Sequence, residues 1–378
     1  MVVGGGSGGH LTPLIAVADQ IVAQDSQAHV IFVGQKGENL KDIVTHPSIH
    51  EHAEISAGKF RRYHSESFMS HVLDFKTVLL NIRDFFRFAR GTVEAWMLIG
   101  KQKPDAIFLK GGFVSVPIGF AARLRHVPYI THDSDAIPGL ANRLTAKHAV
   151  KNTTALPAKL YPYSPKKTIH VGIPVQPEFQ MVDEQALVSA KAVLGLHPHD
   201  EVVFCVGGGL GARKINLALA ASAEVILQKS ARRHLFHISG KKLYDETKSE
   251  YEKQVSPGLM QQVHLVDFTT ELYKYSAAAD VIITRAGATN MAEFAVQGKA
   301  CIVVPNPVLT GGQQLHNAKV LSDNDAALVL DEKEVSAIGE KVDELLLDPK
   351  NRLELGQQLH KLASRDAAKL LAQLLLEI

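Results

Sequence analysis

Gly4-Gly5-Gly6-Ser7-Gly8-Gly9-His10-Leu11-Thr12-Pro13 follows Met1-Val2-Val3 at the start of the chain, and its reading decides the fold class. An apolar strand that gives way to glycines and then to Leu14-Ile15-Ala16-Val17 is a strand-loop-helix junction. Glycine lets the backbone turn sharply and approach a ligand, while the free amides at the helix start attract anions. Five glycines and one serine over positions 4–9 exceed what a tight turn needs. Only three residues stand before the loop, so either further residues precede Met1 or the first strand is a stub. The run satisfies G-x-G-x-x-G, which admits a dinucleotide site. That reading wants an acidic residue at the end of the second strand to hold a ribose. Here this strand ends Phe32-Val33-Gly34-Gln35, with no carboxylate until Glu38. A Gly-Lys-Ser/Thr ending is also missing, which excludes a Walker P-loop.

A second loop of the same kind, Gly207-Gly208-Gly209-Leu210-Gly211-Ala212-Arg213, follows the apolar run Val202–Val206. One such loop is a weak signal. Two, one per half of the chain and both at strand carboxyl ends, point to a ligand held between two domains. Outward from the loops, short apolar runs alternate with longer amphipathic stretches, the pattern of parallel sheets covered by helices. Strands are expected at 2–3, 29–33, 106–109 and 128–131, then at 202–206, 234–238, 263–266, 280–283 and 301–304. Helices are expected near 12–24, 71–99 and 115–125, and one or two more close the chain from Leu353 to Ile378. Prolines at 157, 162, 165, 174 and 177 suit an irregular crossing between domains. The fold class is α/β: two doubly wound, Rossmann-like domains, 1–160 and 161–355.

The chain has 378 residues, 46% hydrophobic and 21% charged, with a net charge of +2, values ordinary for a soluble enzyme and without general attraction to nucleic acid. Cys205 and Cys301 sit inside apolar runs and read as buried thiols in a reducing compartment. No signal peptide is apparent, and no apolar run approaches the roughly 20 residues of a membrane span. The expected setting is cytoplasmic.

Two more segments carry chemistry. Arg285-Ala286-Gly287-Ala288-Thr289-Asn290-Met291-Ala292-Glu293 follows the expected strand at 280–283 and puts a helix N-terminus at its end. Helix-start amides there suit a diphosphate, and Glu293 can accept both hydroxyls of a ribose, although a lone Glu is usually a solvated helix charge. Gly311-Gly312-Gln313-Gln314-Leu315-His316-Asn317 offers amides for sugar hydroxyls, or only caps.

With these pieces, the sequence resembles the MurG family, the peptidoglycan N-acetylglucosaminyltransferases of glycosyltransferase family 28 that convert lipid I to lipid II. The resemblance runs in order through Gly5–His10, Lys-Gly-Gly-Phe-Val-Ser at 110–115, and His-Asp-Ser-Asp-Ala-Ile-Pro-Gly-Leu-Ala-Asn at 132–142. It continues through Val-Gly-Ile-Pro-Val at 171–175, then 207–213, 285–293 and 313–318. It implies a GT-B fold, with the terminal helix at 356–378 joining the N-terminal, acceptor-binding domain. It further implies inversion at the sugar carbon, UDP-N-acetylglucosamine as donor, no tightly bound cofactor, and a polyprenyl-diphosphate sugar as acceptor. Carried over, Ser7, Gly8, Gly9 and His10 line the phosphate side, and His132 and Asp133 match the family's His-Glu pair. Thr269 falls where backbone meets uracil. Ala288 and Glu293 match uridine and ribose contacts, and Gln313, Gln314 and Asn317 match sugar-hydroxyl contacts. The chain departs from the family at four places. Asp135 stands for an Asn, Gln176 for an Arg, Gly209-Leu210 for Ser-Gln, and Thr289-Asn290 for Leu-Thr. The first bears on which sugar is accepted, the second and third on how the diphosphate is held.

The expected reaction is an in-line displacement in which the acceptor hydroxyl attacks as UDP leaves. His10 is the first choice of base, with Asp133 and Asp135 as rivals. Helix-start amides offset the leaving charge. Asp133-Ser134-Asp135 admits a divalent ion, which the reaction does not require. The helix at 71–99 carries an apolar stripe at Val72, Phe75, Leu79, Ile82, Phe86, Ala89, Val93 and Met97, with Lys76, Arg83, Arg87 and Arg90 grouped beside it and Lys59–Tyr63 upstream. An ordinary amphipathic helix explains this pattern; a lipid-linked acceptor favours docking on the anionic inner-membrane surface. Three rivals stay open: transfer to another lipid, a degenerate nucleotide-sugar binder, and a nicotinamide-dependent oxidoreductase. Oligomeric state is not legible.

Overall fold

A computed structural model describes residues 1–5, 8–38, 45–58, 75–308 and 312–378, with only the backbone given for 8–10 and 75–80. The chain forms two compact units. One holds Met1–Gln176 and Ser364–Ile378, the other most of the chain between.

The first unit is built on seven parallel strands in the order β3-β2-β1-β4-β5-β6-β7. They are β1 (Val2–Val3), β2 (Ile31–Gln35), β3 (Glu51–Ile55), β4 (Ile107–Leu109), β5 (Tyr129–Asp133), β6 (Lys151–Thr154) and β7 (Thr168–His170). The order reverses between β1 and β4, and ligands bind beyond the carboxyl ends at such a reversal. The central strands read as unbroken apolar runs because helices cover both faces. One face packs Val2, Phe32, Phe108 and Ile130 under α1 (Gly8–Gln24). The other packs Val3, Val33, Ile107 and Leu109 under α2 (Phe75–Gln102) and α3 (Ser115–Leu124). A short α4 (Leu140–Thr145) follows β5.

The second unit has six parallel strands in the order β10-β9-β8-β11-β12-β13, reversing between β8 and β11. These are β8 (Glu201–Val206), β9 (Arg233–Ile238), β10 (Val263–Val266), β11 (Val281–Thr284), β12 (Cys301–Val303) and β13 (Leu328–Val329). The helices that matter below are α5 (Arg213–Gln228), α6 (Ala288–Gln297) and α7 (Gln313–Asp323). Cys205 and Cys301 are buried free thiols in its core.

Residues 161–176, assigned on sequence to the second domain, lie in the first unit. Thr168–His170 extends its sheet by pairing with β6. Of the terminal segment 356–378, Ser364–Ile378 belongs to the first unit. There α8 (Ala367–Leu376) sets Leu371, Ala372 and Leu375 against the α1 face of the core. His360 stays with the second unit, its Nδ1 2.8 Å from Ala295 O.

The apolar stripe of α2 does not face the core. The packed side is Asp84, Gly91, Ala95 and Ile99, with Gly91 so close to strand β3 that a Cβ would stand 1.8 Å from Ser56 O. Ile82, Phe86, Ala89, Val93 and Met97 are exposed, and so are Phe85 and Trp96. Val72 and Lys59–Tyr63, and the side chains of Phe75, Lys76 and Leu79, lie outside what is described.

Candidate functional site

In the second unit, β8 runs into the turn Gly207–Ala212. Gly208 (φ 88°) and Gly211 (φ 76°) take the left-handed conformation that favours glycine. A Cβ on Gly211 would stand 2.0 Å from Ser239 O, so the turn tolerates no side chain there, while Gly208 faces open space. Gly209 and Leu210 are exposed at the tip. Helix α5 begins without a side-chain cap at Ala212, which leaves its first amides for an anion.

The neighbouring strand is tied to this turn, as Thr284 Oγ1 donates to Val206 O at 2.9 Å. Arg285 then points inward, donating to Val304 O (3.1 Å) and Glu332 Oε1 (2.6 Å), and braces the loop. Helix α6 starts at Ala288, again without a side-chain cap, and carries Thr289 and Asn290 in its first turn. Glu293 follows, 3% exposed. Its Oε2 has no hydrogen-bond partner among the described residues. Burial alone pushes its carboxyl up to about 8. An ionisable group buried without donors is costly, and hydroxyl donors from a ligand would relieve that cost.

Two further predicted residues brace the rim. Gln314 Oε1 accepts from Asn306 N at 2.8 Å, and Asn317 Nδ2 donates to Ala286 O at 3.0 Å. Gln313 opens α7, while Gly311 lies outside the described residues. Thr269, beyond β10, accepts from Glu271 N at 3.0 Å and so shapes its own turn. The loops after β8 and β10 and the helices that follow β11 and β12 carry Gly209, Gly211, Thr269, Ala288, Thr289, Asn290, Glu293, Gln314 and Asn317, whereas Gln176 and Gln313, predicted for this unit, are grouped with the first.

In the first unit, Ser7 lies outside the described residues, and Gly8, Gly9 and His10 are described only as the first turn of α1. Glu38 folds back so far that its Oε2 would be 2.8 Å from a Cβ on Gly5. His132 is fully buried on β5, and burial together with the Lys110 charge holds its imidazole well below the usual range. The Thr153 hydroxyl donates to Thr131 O (2.8 Å), so it accepts from His132 Nδ1, 3.1 Å away. That assignment leaves Nε2 as the lone-pair nitrogen, without a partner among the described residues.

Asp133 is 3% exposed, and its carboxylate takes three donors: Asn142 Nδ2 (2.8 Å), Gly139 N (3.3 Å) and Tyr163 OH (2.6 Å). Burial raises its carboxyl, and these donors and Lys110 oppose the shift. With its oxygens committed in this way, Asp133 anchors the 134–142 segment. Asp135 is partly exposed, and its carbonyl accepts from Tyr161 OH at 2.9 Å. Gln176 is partly exposed at the last position before the second unit. Among the described residues, no three His, Cys, Asp or Glu side chains cluster as metal ligands.

Sequence reasoning quoted Lys110 only as part of a motif. The structure buries it to 3% exposure at the end of β4, with Nζ donating to Ser134 Oγ at 2.7 Å. A lysine ahead of two glycines reads as an exposed turn cation; only the fold shows it turning inward.

Comparison with known proteins gives one consistent answer. The model of the glycosyltransferase family 28 N-terminal domain matches residues 1–154, and that of the family 28 C-terminal domain matches residues 202–371. A relative from Clostridium tetani is 32% identical over 89% of this chain and 86% of its own length. One from Geobacter sulfurreducens is 29% identical over 98% and 95%. Both are named UDP-N-acetylglucosamine–N-acetylmuramyl-(pentapeptide) pyrophosphoryl-undecaprenol N-acetylglucosamine transferase. Among solved structures, MurG from Acinetobacter baumannii matches with a TM-score of 0.72 at 22% identity, covering 100% of this chain and 99% of that one. A MnaA–UDP structure from S. aureus matches with a TM-score of 0.66 at 10% identity, covering 98% and 93%. At these identities the structures speak for the fold, that of the GT-B glycosyltransferases.

Proposed function

The chain belongs to glycosyltransferase family 28, and from that premise we propose that it moves N-acetylglucosamine from UDP-N-acetylglucosamine to an undecaprenyl-pyrophosphate-linked N-acetylmuramyl pentapeptide, lipid I to lipid II. The observation that carries the donor side is Glu293, a buried carboxyl whose Oε2 has no donor among the described residues, on the first turns of an uncapped helix. A ribose supplies two hydroxyl donors to it, and the amides at the starts of α5 and α6 take the diphosphate. The same amides offset the charge that develops on UDP as it leaves, so the proposal requires no divalent ion.

In the displacement, the acceptor hydroxyl oxygen bonds to the anomeric carbon as the carbon–oxygen bond to UDP breaks. UDP departs with the electron pair, and the hydroxyl proton passes to a base, with inversion. His10, in the first turn of α1, is the proposed base. His132 and Asp133 are better suited to shape the acceptor side, since both are turned into the protein.

The exposed apolar face of α2 supports a peripheral position on the cytoplasmic face of the membrane. Phe86 is 67% and Met97 55% exposed, with Phe120 and Leu124 of α3 exposed as well. Arg83, Arg87 and Arg90 are each about half exposed or more, and a cation near an anionic surface is worth about 1 kcal/mol. No helix among the described residues is long and apolar enough to cross a membrane.

The test is UDP release by the purified protein with UDP-N-acetylglucosamine, with and without lipid I. Lipid-dependent release that Glu293→Ala abolishes is expected. Release with UDP-glucose but not UDP-N-acetylglucosamine, or no release at all, refutes the reading. Flotation with anionic liposomes checks the membrane side: binding reversed by salt, and weakened in the Phe86→Ser/Trp96→Ser variant, is expected.

A further inference from the structure

The loop after β9 meets the glycine turn of the second unit from the side opposite β11, because β9 and β11 flank β8 in the sheet. Ser239 N donates to Val266 O at 3.0 Å, and Ser239 O accepts from Asn216 Nδ2 at 2.9 Å, which fixes the start of this loop. Asn216 is held in turn by the buried His237, whose Nε2 lies 3.1 Å from Asn216 Oδ1. Gly240 (φ 89°) then opens a tight turn, closed by Leu243 N donating to Gly240 O at 2.9 Å. A Cβ on Gly240 would stand 2.8 Å from both Gly211 N and Leu210 O, and one on Gly211 would stand 3.0 Å from Leu243 Cδ1. Lys241 is therefore carried on a turn pressed at both ends against the loop that opens α5.

The Lys241 side chain is exposed, with Nζ 4.6 Å from the ring centroid of Phe268, beyond β10. It forms no ion pair among the described residues, and a ring attracts a cation without cancelling its charge. The other cations beside the two helix starts are committed: Arg213 to Glu246, and Lys214 and Arg285 to Glu332. An anion arriving at α5 can thus take the Lys241 ammonium without breaking an ion pair. Two separate observations call for a ligand on this side of the sheet. Glu293 Oε2 is buried without a partner among the described residues, and α5 begins without a side-chain cap.

We propose that Lys241 is a donor-binding residue: its ammonium leaves the Phe268 ring for the diphosphate held by the first amides of α5. This rests on the transferase reading above and adds to it the cation of the donor site. Helix-start amides supply only partial positive charge, whereas a diphosphate carries full negative charges; a lysine meets it as a point charge. The His237–Asn216 network keeps the turn against the glycine loop, so the ammonium is delivered from a fixed backbone.

The experiment measures dissociation constants of UDP and of uridine by ligand-observed NMR, in the wild type and in Lys241→Arg, Lys241→Met, Lys241→Glu and Lys242→Met. Lys242, the next residue on the same turn and also exposed, controls for surface charge in general. UDP affinity is expected to stay within about threefold in Lys241→Arg, to fall at least about tenfold in Lys241→Met and further in Lys241→Glu. Uridine, which has no phosphate, should bind all five proteins within about twofold, and Lys242→Met should hold UDP as the wild type does. UDP affinity that is unchanged in Lys241→Met overturns the proposal. So does an equal loss of UDP and uridine, which would place the ammonium on the base, or an equal loss in Lys242→Met, which would make the effect one of general charge. A wild type that binds no UDP sinks the transferase reading and this proposal together; a wild type that binds it no better than Lys241→Met sinks this proposal alone.

Discussion

Asp133 and Glu293 are two carboxylates, one in each unit, both 3% exposed and both close to the carboxyl end of a strand at the sheet's core. They differ in what meets them. Asp133 receives an amide, a side-chain amide and a phenol, and these oppose the upward push of burial on its carboxyl. Glu293 has burial as the sole cause of its shift, and its Oε2 is without a partner among the described residues. The same residue chemistry at the same depth thus does two jobs. A satisfied buried carboxylate fixes local structure; an unsatisfied one is poised for donors that the protein does not supply.

The strongest way to break that comparison is Asp133→Ala. It strands Tyr163 OH and removes one of the two carboxylates that act on the Lys110 charge, while Asn142 Nδ2 keeps only His132 O; it should cost about 3–5 kcal/mol in urea unfolding, with UDP affinity unchanged in whatever remains folded. Equal loss of UDP affinity would make Asp133 a ligand residue after all. Glu293→Ala should do the reverse: UDP binding by calorimetry weakens about 100-fold, roughly 2.7 kcal/mol, with little loss of stability.

The smallest effect is the most diagnostic. The folded protein keeps a proton on Glu293 up to about pH 8, whereas a free carboxyl gives it up near 4.5. The stability this contributes is whole below about 4.5 and is lost as the pH rises through about 8. Glu293→Gln should therefore unfold at a higher temperature than wild type at pH 9, with the gap closing by about pH 5. UDP affinity of the wild type should fall from pH 8 to pH 6 as protons compete with the ribose hydroxyls, and Glu293→Gln should be weaker and flat across that range.

The loop that follows β8 was legible in sequence because glycine is required where the backbone turns left-handed or meets another chain segment, as at Gly211 against Ser239. Some strands hidden from the sequence carry polar side chains that bond to a neighbouring strand. In β6, Asn152 and Thr153 bond with Thr131 and His132, so Lys-Asn-Thr-Thr reads as a loop until its partner strand is known. In β3 the run Glu-His-Ala-Glu carries the exposure of an edge strand. The α2 periodicity was read correctly, but periodicity reports a face and not what covers it, and here the apolar face points to solvent. At the site, residue type and spacing pointed to Glu293 and the family resemblance to Asn317, while Lys110 stayed hidden because no local pattern encodes its inward turn.

The return of α8 to the first unit has a consequence for how the molecule is made. Leu371 and Leu375 complete a core whose other members, Leu14, Val17 and Phe32, are synthesised first. A ribosome therefore extrudes a first unit with an open apolar flank, and nearly the whole chain must follow before that flank is closed. Contacts so distant in sequence form slowly, and an uncovered apolar face is a target for chaperones meanwhile. The second unit, nested within the first along the chain, is free to fold before its host is finished.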